Sequence, residues 1–231
     1  MRLHCLCGAG YCWLRWPVCD SRLRPVWRRV SLLDGRYTQS AFTTYGVDAL
    51  ISTKSPALCY GGNGGSSGAW TMLDDNYGSG NGGYAQSGYE SITGSGIKYF
   101  SQWRKNDNQV PTTVWGTQPS GTHEYMTNYH FDTGKLYMYV DTTVFDHTNF
   151  DPAAAVWTGP WDMQLFGETF NPGDDMPGFP LQHVNFSSVL YHKCRSCGWV
   201  TMPSSVPTTS GLARYHTSGG VSNFDIWTDP L

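Results

Sequence analysis

The sequence predicts an all-β fold, and three features carry that expectation. From Arg36 onward, short segments rich in Tyr, Trp, Val, Phe and Thr alternate with clusters of Gly, Asn, Asp and Pro. No segment holds a helical apolar period over three turns. Charged residues make up 14% of the chain, with only three Glu (Glu90, Glu124 and Glu168), which excludes a coiled coil or long-helix protein. The architecture that buries such strands is an antiparallel two-sheet β-sandwich.

Twelve strands are expected in order: 45–52, 69–74, 84–92, 97–104, 110–116, 122–131, 135–141, 143–149, 161–170, 184–192, 198–202 and 223–227. Asp132-Thr133-Gly134 separates two of them, and Gly134 supplies the positive φ of a tight turn, so 122–141 reads as a hairpin. Residues two apart share a face of a strand. Leu136, Met138 and Val140 therefore form one face, with Tyr137 and Tyr139 opposite. Tyr84, Gln86, Gly88 and Glu90 share a second face, and Asp162, Gln164, Phe166, Glu168 and Phe170 a third. Aromatics mixed with amides and carboxylates do not make an ordinary core. They suit the concave side of a curved sheet that holds a polar substrate. Two loops are expected, a flexible one at 61–68 and a proline-stiffened one at 171–180.

Charge divides the chain. Residues 1–35 carry +4 and four of the seven Cys, whereas residues 36–231 carry −7. The first segment reads as an extension outside the fold, and 36–231 as a single domain. A mildly acidic body argues against nucleic-acid binding. No apolar run reaches membrane-spanning length, so no membrane partner is expected. There is no Gly-x-Ser-x-Gly elbow and no phosphate-binding Gly loop.

A hydrolase that uses neither a metal nor a nucleophilic Ser or Cys needs a base for water and a donor for the oxyanion. Glu168 and Gln86 are the candidates. Around Gln86, YAQSGYES (84–91) resembles the Gln-bearing strand of the eqolisin-type glutamic peptidases. QLFGETF (164–170) is similar to their Glu-bearing strand, 82 residues on from Gln86 to Glu168. SGAWTMLDD (67–75), YFSQWRK (99–105) and VNFSSVLYH (184–192) resemble neighbouring strands in the same order. The resemblance covers about 45–192. It implies a concanavalin-like jelly roll and peptidase activity at acid pH, with Gln86 and Glu168 catalytic. Trp103 and Tyr89 would line the cleft, and Trp70 and Glu90 would bind substrate. Gln102 and the Arg104-Lys105 pair depart from the family pattern. Neprosin-type endopeptidases use two Glu on a similar sandwich, and Glu90 with Glu168 imitates that pair. No cofactor and no metal are implied, and the product of such a family is secreted or displayed at the cell surface.

Other readings stay open. Trp70, Trp103, Trp115, Trp157, Trp161, Tyr89 and Tyr137 are candidates for stacking on a polysaccharide, and Glu90 with Glu168 for a glycosidase pair. A non-catalytic surface or assembly protein is a third class, since sandwiches must manage exposed edges. His192, Cys194 and Cys197, with His183 nearby, form half a zinc site or the start of a disulfide, within the pair or to Cys59. Asp174–Asp175 reads as a solvated turn.

Overall fold

The computed structural model describes residues 32–37, 43–58, 65–75, 82–154, 157, 160–169, 174–202, 205–208 and 215–229, and every structural statement concerns these. They form strands and no helix. One sheet runs in the order β13 (Val206–Thr208), β1 (Leu32–Tyr37), β10 (Trp161–Thr169), β3 (Ser66–Asp75), β4 (Tyr84–Ile92), β5 (Gly96–Arg104) and β6 (Thr112–Trp115). The other runs β14 (Tyr215–Gly219), β15 (Phe224–Thr228), β11 (Val184–His192), β2 (Gly46–Ser52), β7 (Thr122–His130), β8 (Lys135–Val140) and β9 (Thr143–His147), with β12 (Trp199–Thr201) added on β11. Neighbouring strands are antiparallel throughout both sheets, as in β10–β3, β3–β4 and β2–β7.

All twelve expected strands are present, with ends within three residues of the sequence reading. Three more, β1, β13 and β14, were not legible. β1 starts at Leu32 and pairs along its length with β10, from Leu32↔Thr169 to Tyr37↔Gln164. Residues 1–31 lie outside the described residues. Gly35 interrupts the apolar pattern of β1 for a packing reason. A Cβ there would stand 2.1 Å from the Leu165 carbonyl oxygen and 2.5 Å from Phe166 Cδ1.

The core lies between the sheets. Ala69, Leu73, Ala85, Tyr89, Trp103, Met163 and Leu165 point inward from one sheet. Val47, Ala49, Ile51, Tyr125, Leu136, Met138, Phe186 and Ile226 meet them from the other. Period-two alternation therefore decides which residues are shared by the core and which face outward. The expected hairpin is β7–β8. Gly134 has φ +65°, and its amide donates to the His130 carbonyl at 2.9 Å.

The end of the first expected loop and the reading of Asp174–Asp175 need correction. Ser66, Ser67 and Gly68 belong to β3 rather than to a flexible loop. Asp174 and Asp175 are buried, not a solvated turn. Their segment is tied down because the Asp175 amide donates to the Ala57 carbonyl at 2.9 Å. Thr228 also donates from its amide to the Gly178 carbonyl and from its hydroxyl to the Met176 carbonyl.

Candidate functional site

The outer face of the seven-stranded sheet, turned away from the core, is built in rows. Antiparallel register sets them. Asp162, Asp74, Tyr84 and Arg104 lie side by side on β10, β3, β4 and β5. The next row is Gln164, Met72, Gln86, Gln102 and Thr113. Then come Gly35, Phe166, Trp70, Gly88, Phe100 and Trp115. The last row is Leu33, Glu168, Gly68, Glu90 and Lys98. Gln86, Glu168, Glu90 and Trp70 thus occupy one face of one sheet.

The aromatic row is the floor of this face. Trp70, Phe100 and Phe166 form a small buried cluster, with Leu33, Tyr37 and Met72 packed on it. Trp70 meets Phe166 edge-on, with ring centroids 5.4 Å apart. Gly88 permits this packing, since a Cβ there would lie 2.6 Å from Trp70 Cβ. Held in this way, the Trp70 indole reaches along its strand and donates from Nε1 to Glu168 Oε2 at 3.1 Å.

Gln86 and Glu168 are separated by two strand spacings across the sheet and four residues along it. They share no hydrogen bond. The Gln86 side chain donates from Nε2 to Gln102 Oε1 at 3.3 Å. The same oxygen accepts the Tyr84 hydroxyl at 2.5 Å, and Gln102 Nε2 donates to Thr113 Oγ1 at 2.9 Å. Burial pushes the Tyr84 hydroxyl well above the usual phenol range. The Arg104 guanidinium, stacked 5.1 Å over its ring, opposes that shift, and the Glu168 carboxylate adds to it.

Glu90 and Glu168 flank Gly68 in a single row, two strand spacings or roughly 9.5 Å apart at the backbone. At the other end, Asp74 and Asp162 stand directly opposite each other on β3 and β10. The Asp74 carboxyl is pushed up to about 8 by burial, then by the Asp162 and Asp75 carboxylates, and the Gln164 amide, which donates to Asp74 Oδ2 at 2.6 Å, pulls it back. Like charges this close favour holding a proton.

Two expected cleft residues fall elsewhere. Tyr89 is fully buried on the core side of β4, one pleat out of phase with Gln86. Its hydroxyl donates to the Ser52 carbonyl at 3.3 Å and accepts the Lys54 amide at 3.1 Å. Trp103 also faces the core and donates from Nε1 to Asp146 Oδ2 on β9 at 3.1 Å. Trp157 and Trp161 are core residues as well, whereas Trp115 is exposed on the edge strand. Tyr137 lies on the outer face of the other sheet, packed against His130 and His147. Sequence reasoning missed Gln102, Asp74 and Gly68 as members of the face. Only strand register brings them to Gln86 and Glu168.

Cys194 and Cys197 are joined in a disulfide. Cys59 lies outside the described residues. His192 hydrogen-bonds Asn128 Oδ1 and the Cys197 carbonyl, each at 3.1 Å. Among the described residues no group of three or more His, Cys, Asp or Glu is arranged to hold a metal ion. Among the described residues no helix is long and apolar enough to cross a membrane.

No family model and no curated protein sequence matches the chain. Solved structures do. Scytalido-glutamic peptidase, in complex with a peptide-based transition-state analogue, superposes with a TM-score of 0.62 at 10% identity, over 86% of this chain and 98% of that one. SCP-B, a member of the eqolisin family in complex with the tripeptide Ala-Ile-His, gives a TM-score of 0.59 at 11% identity over the same shares. A family 16 glycoside hydrolase from Bacteroides ovatus, in complex with a mixed-linkage glucan product, gives 0.37 at 12% identity, over 61% of this chain and 67% of that one. In fold, the chain is a concanavalin-like jelly roll of the kind that the eqolisin glutamic peptidases build.

Proposed function

We propose that the protein is an exported peptide hydrolase of the glutamic type. The observation that carries this reading is the placement of Gln86 and Glu168 on one face of one sheet, with the Trp70 indole joining the strand between them to Glu168. In sequence, the strands that bear them resemble the Gln- and Glu-bearing strands of the glutamic peptidases. In the reaction, Glu168 takes a proton from water as the water oxygen attacks the peptide carbonyl carbon. Gln86 donates to the oxyanion that forms. When the C–N bond breaks, Glu168 returns the proton to the leaving amine. Carboxyl chemistry of this kind suits acid pH. The buried cluster of Trp70, Phe100 and Phe166 supports the face from beneath, with Glu90 at its far side. Export is supported by the Cys194–Cys197 disulfide, which persists in oxidising compartments.

The decisive experiment is Glu168→Gln assayed on a denatured protein substrate across pH 3 to 6. Cleavage is expected to vanish while the fold stays intact by circular dichroism. Undiminished cleavage overturns the assignment. A second reading draws on Glu90 and Glu168, whose backbone separation across Gly68 suits a pair of glycosidase carboxyls. It predicts release of reducing sugar from a polysaccharide, lost in both Glu90→Gln and Glu168→Gln. No such release from a panel of glucans removes it.

A further inference from the structure

Gln86 has an amide with two N–H groups and one carbonyl, and which of these faces the substrate is not set by its own strand. On one side its row neighbour is Met72, which offers no strong hydrogen bond. On the other side is Gln102, the one side chain among the described residues that the Gln86 side chain bonds. We propose that Gln102 is a positioning residue that fixes the orientation of the Gln86 amide, so that Gln86 presents both a donor and an acceptor to the bound substrate and water. This rests on the reading of Gln86 as the oxyanion donor.

The argument is one of hydrogen-bond direction. Gln102 Oε1 accepts from Tyr84 and from Gln86, while Gln102 Nε2 donates to Thr113. Tyr84 stays protonated because burial holds its hydroxyl far above the working range, and the Arg104 guanidinium over its ring helps to keep that ring in place. A fixed hydroxyl donor on Gln102 Oε1 keeps that oxygen turned toward β4. Gln86 must then turn an N–H toward it. One N–H is thereby used, leaving the second N–H for an oxyanion and Oε1 to accept from the attacking water. Were Gln102 reversed, its NH2 would face Gln86 and draw the Gln86 carbonyl. The Gln86 carbonyl would then be turned toward β5, leaving its two N–H groups on the substrate side, and the water would lose its acceptor there. Gln102 is also one of the positions where the sequence departs from the peptidase pattern, and Thr113 on the edge strand completes the string.

The test compares Gln102→Met with Gln102→Glu. Methionine has a similar length and no strong acceptor. Glutamate keeps a carbonyl-type acceptor toward Gln86 in either protonation state. Gln102→Met is expected to lower kcat about 10- to 100-fold with KM within about twofold, the scale of a misplaced catalytic group. Gln102→Glu is expected to restore kcat to near the wild-type value. The side-chain amide of Gln86, identified in 15N-labelled protein by its loss in Gln86→Leu, gives a readout independent of turnover. Its two proton resonances are expected to be well separated in wild type and in Gln102→Glu, and to approach solvent-averaged positions in Gln102→Met. If wild type cleaves no peptide, the hydrolase reading fails, and the amide resonances alone still decide the orientation. Equal loss in both variants, or unchanged Gln86 resonances in Gln102→Met, overturns the proposal.

Discussion

The Trp70 indole N–H donates to Glu168 Oε2 at 3.1 Å, diagonally across the β3–β10 pair. The bond is directed, and it is held from below by the Phe166 ring. It fixes one carboxylate oxygen of the group that the proposed reaction uses as its base. Removing this donor should therefore touch chemistry more than packing.

Trp70→Phe keeps an aromatic ring on Phe166 and deletes the N–H. Hydrogen bonds to charged groups are worth about 1.5–3 kcal/mol. The expected result is a fall in kcat/KM of about 10- to 100-fold, with stability in urea lowered by about 1–3 kcal/mol. Peptide turnover and urea unfolding, measured on the same preparation, check both. A variant with full activity would show that Glu168 needs no fixing.

Tyr89→Phe should do the reverse. The Tyr89 hydroxyl serves the backbone of the segment after β2, accepting from Lys54 and donating to Ser52. Its loss leaves buried groups unpaired at a cost of about 1–3 kcal/mol. Because the ring faces the core and not Gln86, kcat should be unchanged. A fall in kcat without a fall in urea midpoint would return Tyr89 to the site.

That contrast shows what the sequence revealed and where it stopped. Period-two alternation was enough to place Gln86 with Glu90, and Gln164 with Glu168, because pleating acts within a strand. It should have excluded Tyr89, three residues from Gln86 and thus on the opposite face. An aromatic near a catalytic candidate looked like a wall, while the pleat made it core. The partners of Gln86 were hidden for a different reason. Gln102 and Thr113 reach it through register between strands, which is decided by the whole sheet. β1 escaped because Asp34, Gly35 and Arg36 break its apolar pattern, and Gly35 is needed because the Leu165 carbonyl and Phe166 crowd it from β10. β13 and β14 are strands of three and five residues at sheet edges, too short to show a period in the sequence.

Stability should fall as pH rises. The Asp74 carboxyl is pushed up to about 8, chiefly by burial, and Asp48 to about 7, by burial and then by Glu124, which also hydrogen-bonds it. A carboxyl whose proton is held more tightly in the folded state contributes its stability fully below the unfolded value near 4. That contribution is lost as pH climbs through the folded value. The melting temperature is therefore expected to decline from pH 4 to pH 8. Asp74→Asn, which keeps an acceptor for Gln164, should flatten that decline and melt higher than wild type at pH 7. A decline of the same steepness in Asp74→Asn would place the linked proton elsewhere. Such a profile suits a protein that works in acid.

The β8–β9 connection offers a gain in stability away from the site. Asp141 and Thr142 both have positive φ, 49° and 65°, the geometry of a tight two-residue hairpin turn. Asp141 is anchored, since Oδ1 accepts the Glu124 amide at 3.0 Å and Oδ2 pairs with His123 Nδ1 at 2.6 Å. Thr142 carries the cost alone, because a β-branched residue in the left-handed region is strained by about 1–2 kcal/mol. Thr142→Gly removes that strain, and the extra freedom of glycine in the unfolded chain returns part of it. The net expectation is a stabilisation of about 0.5–1 kcal/mol in urea, with unchanged peptide turnover. Thr142→Ala separates the two contributions, because it relieves β-branching and keeps a Cβ, and it should fall between wild type and glycine. A glycine variant less stable than wild type would mean that the Thr142 side chain holds the turn by contacts worth more than its strain.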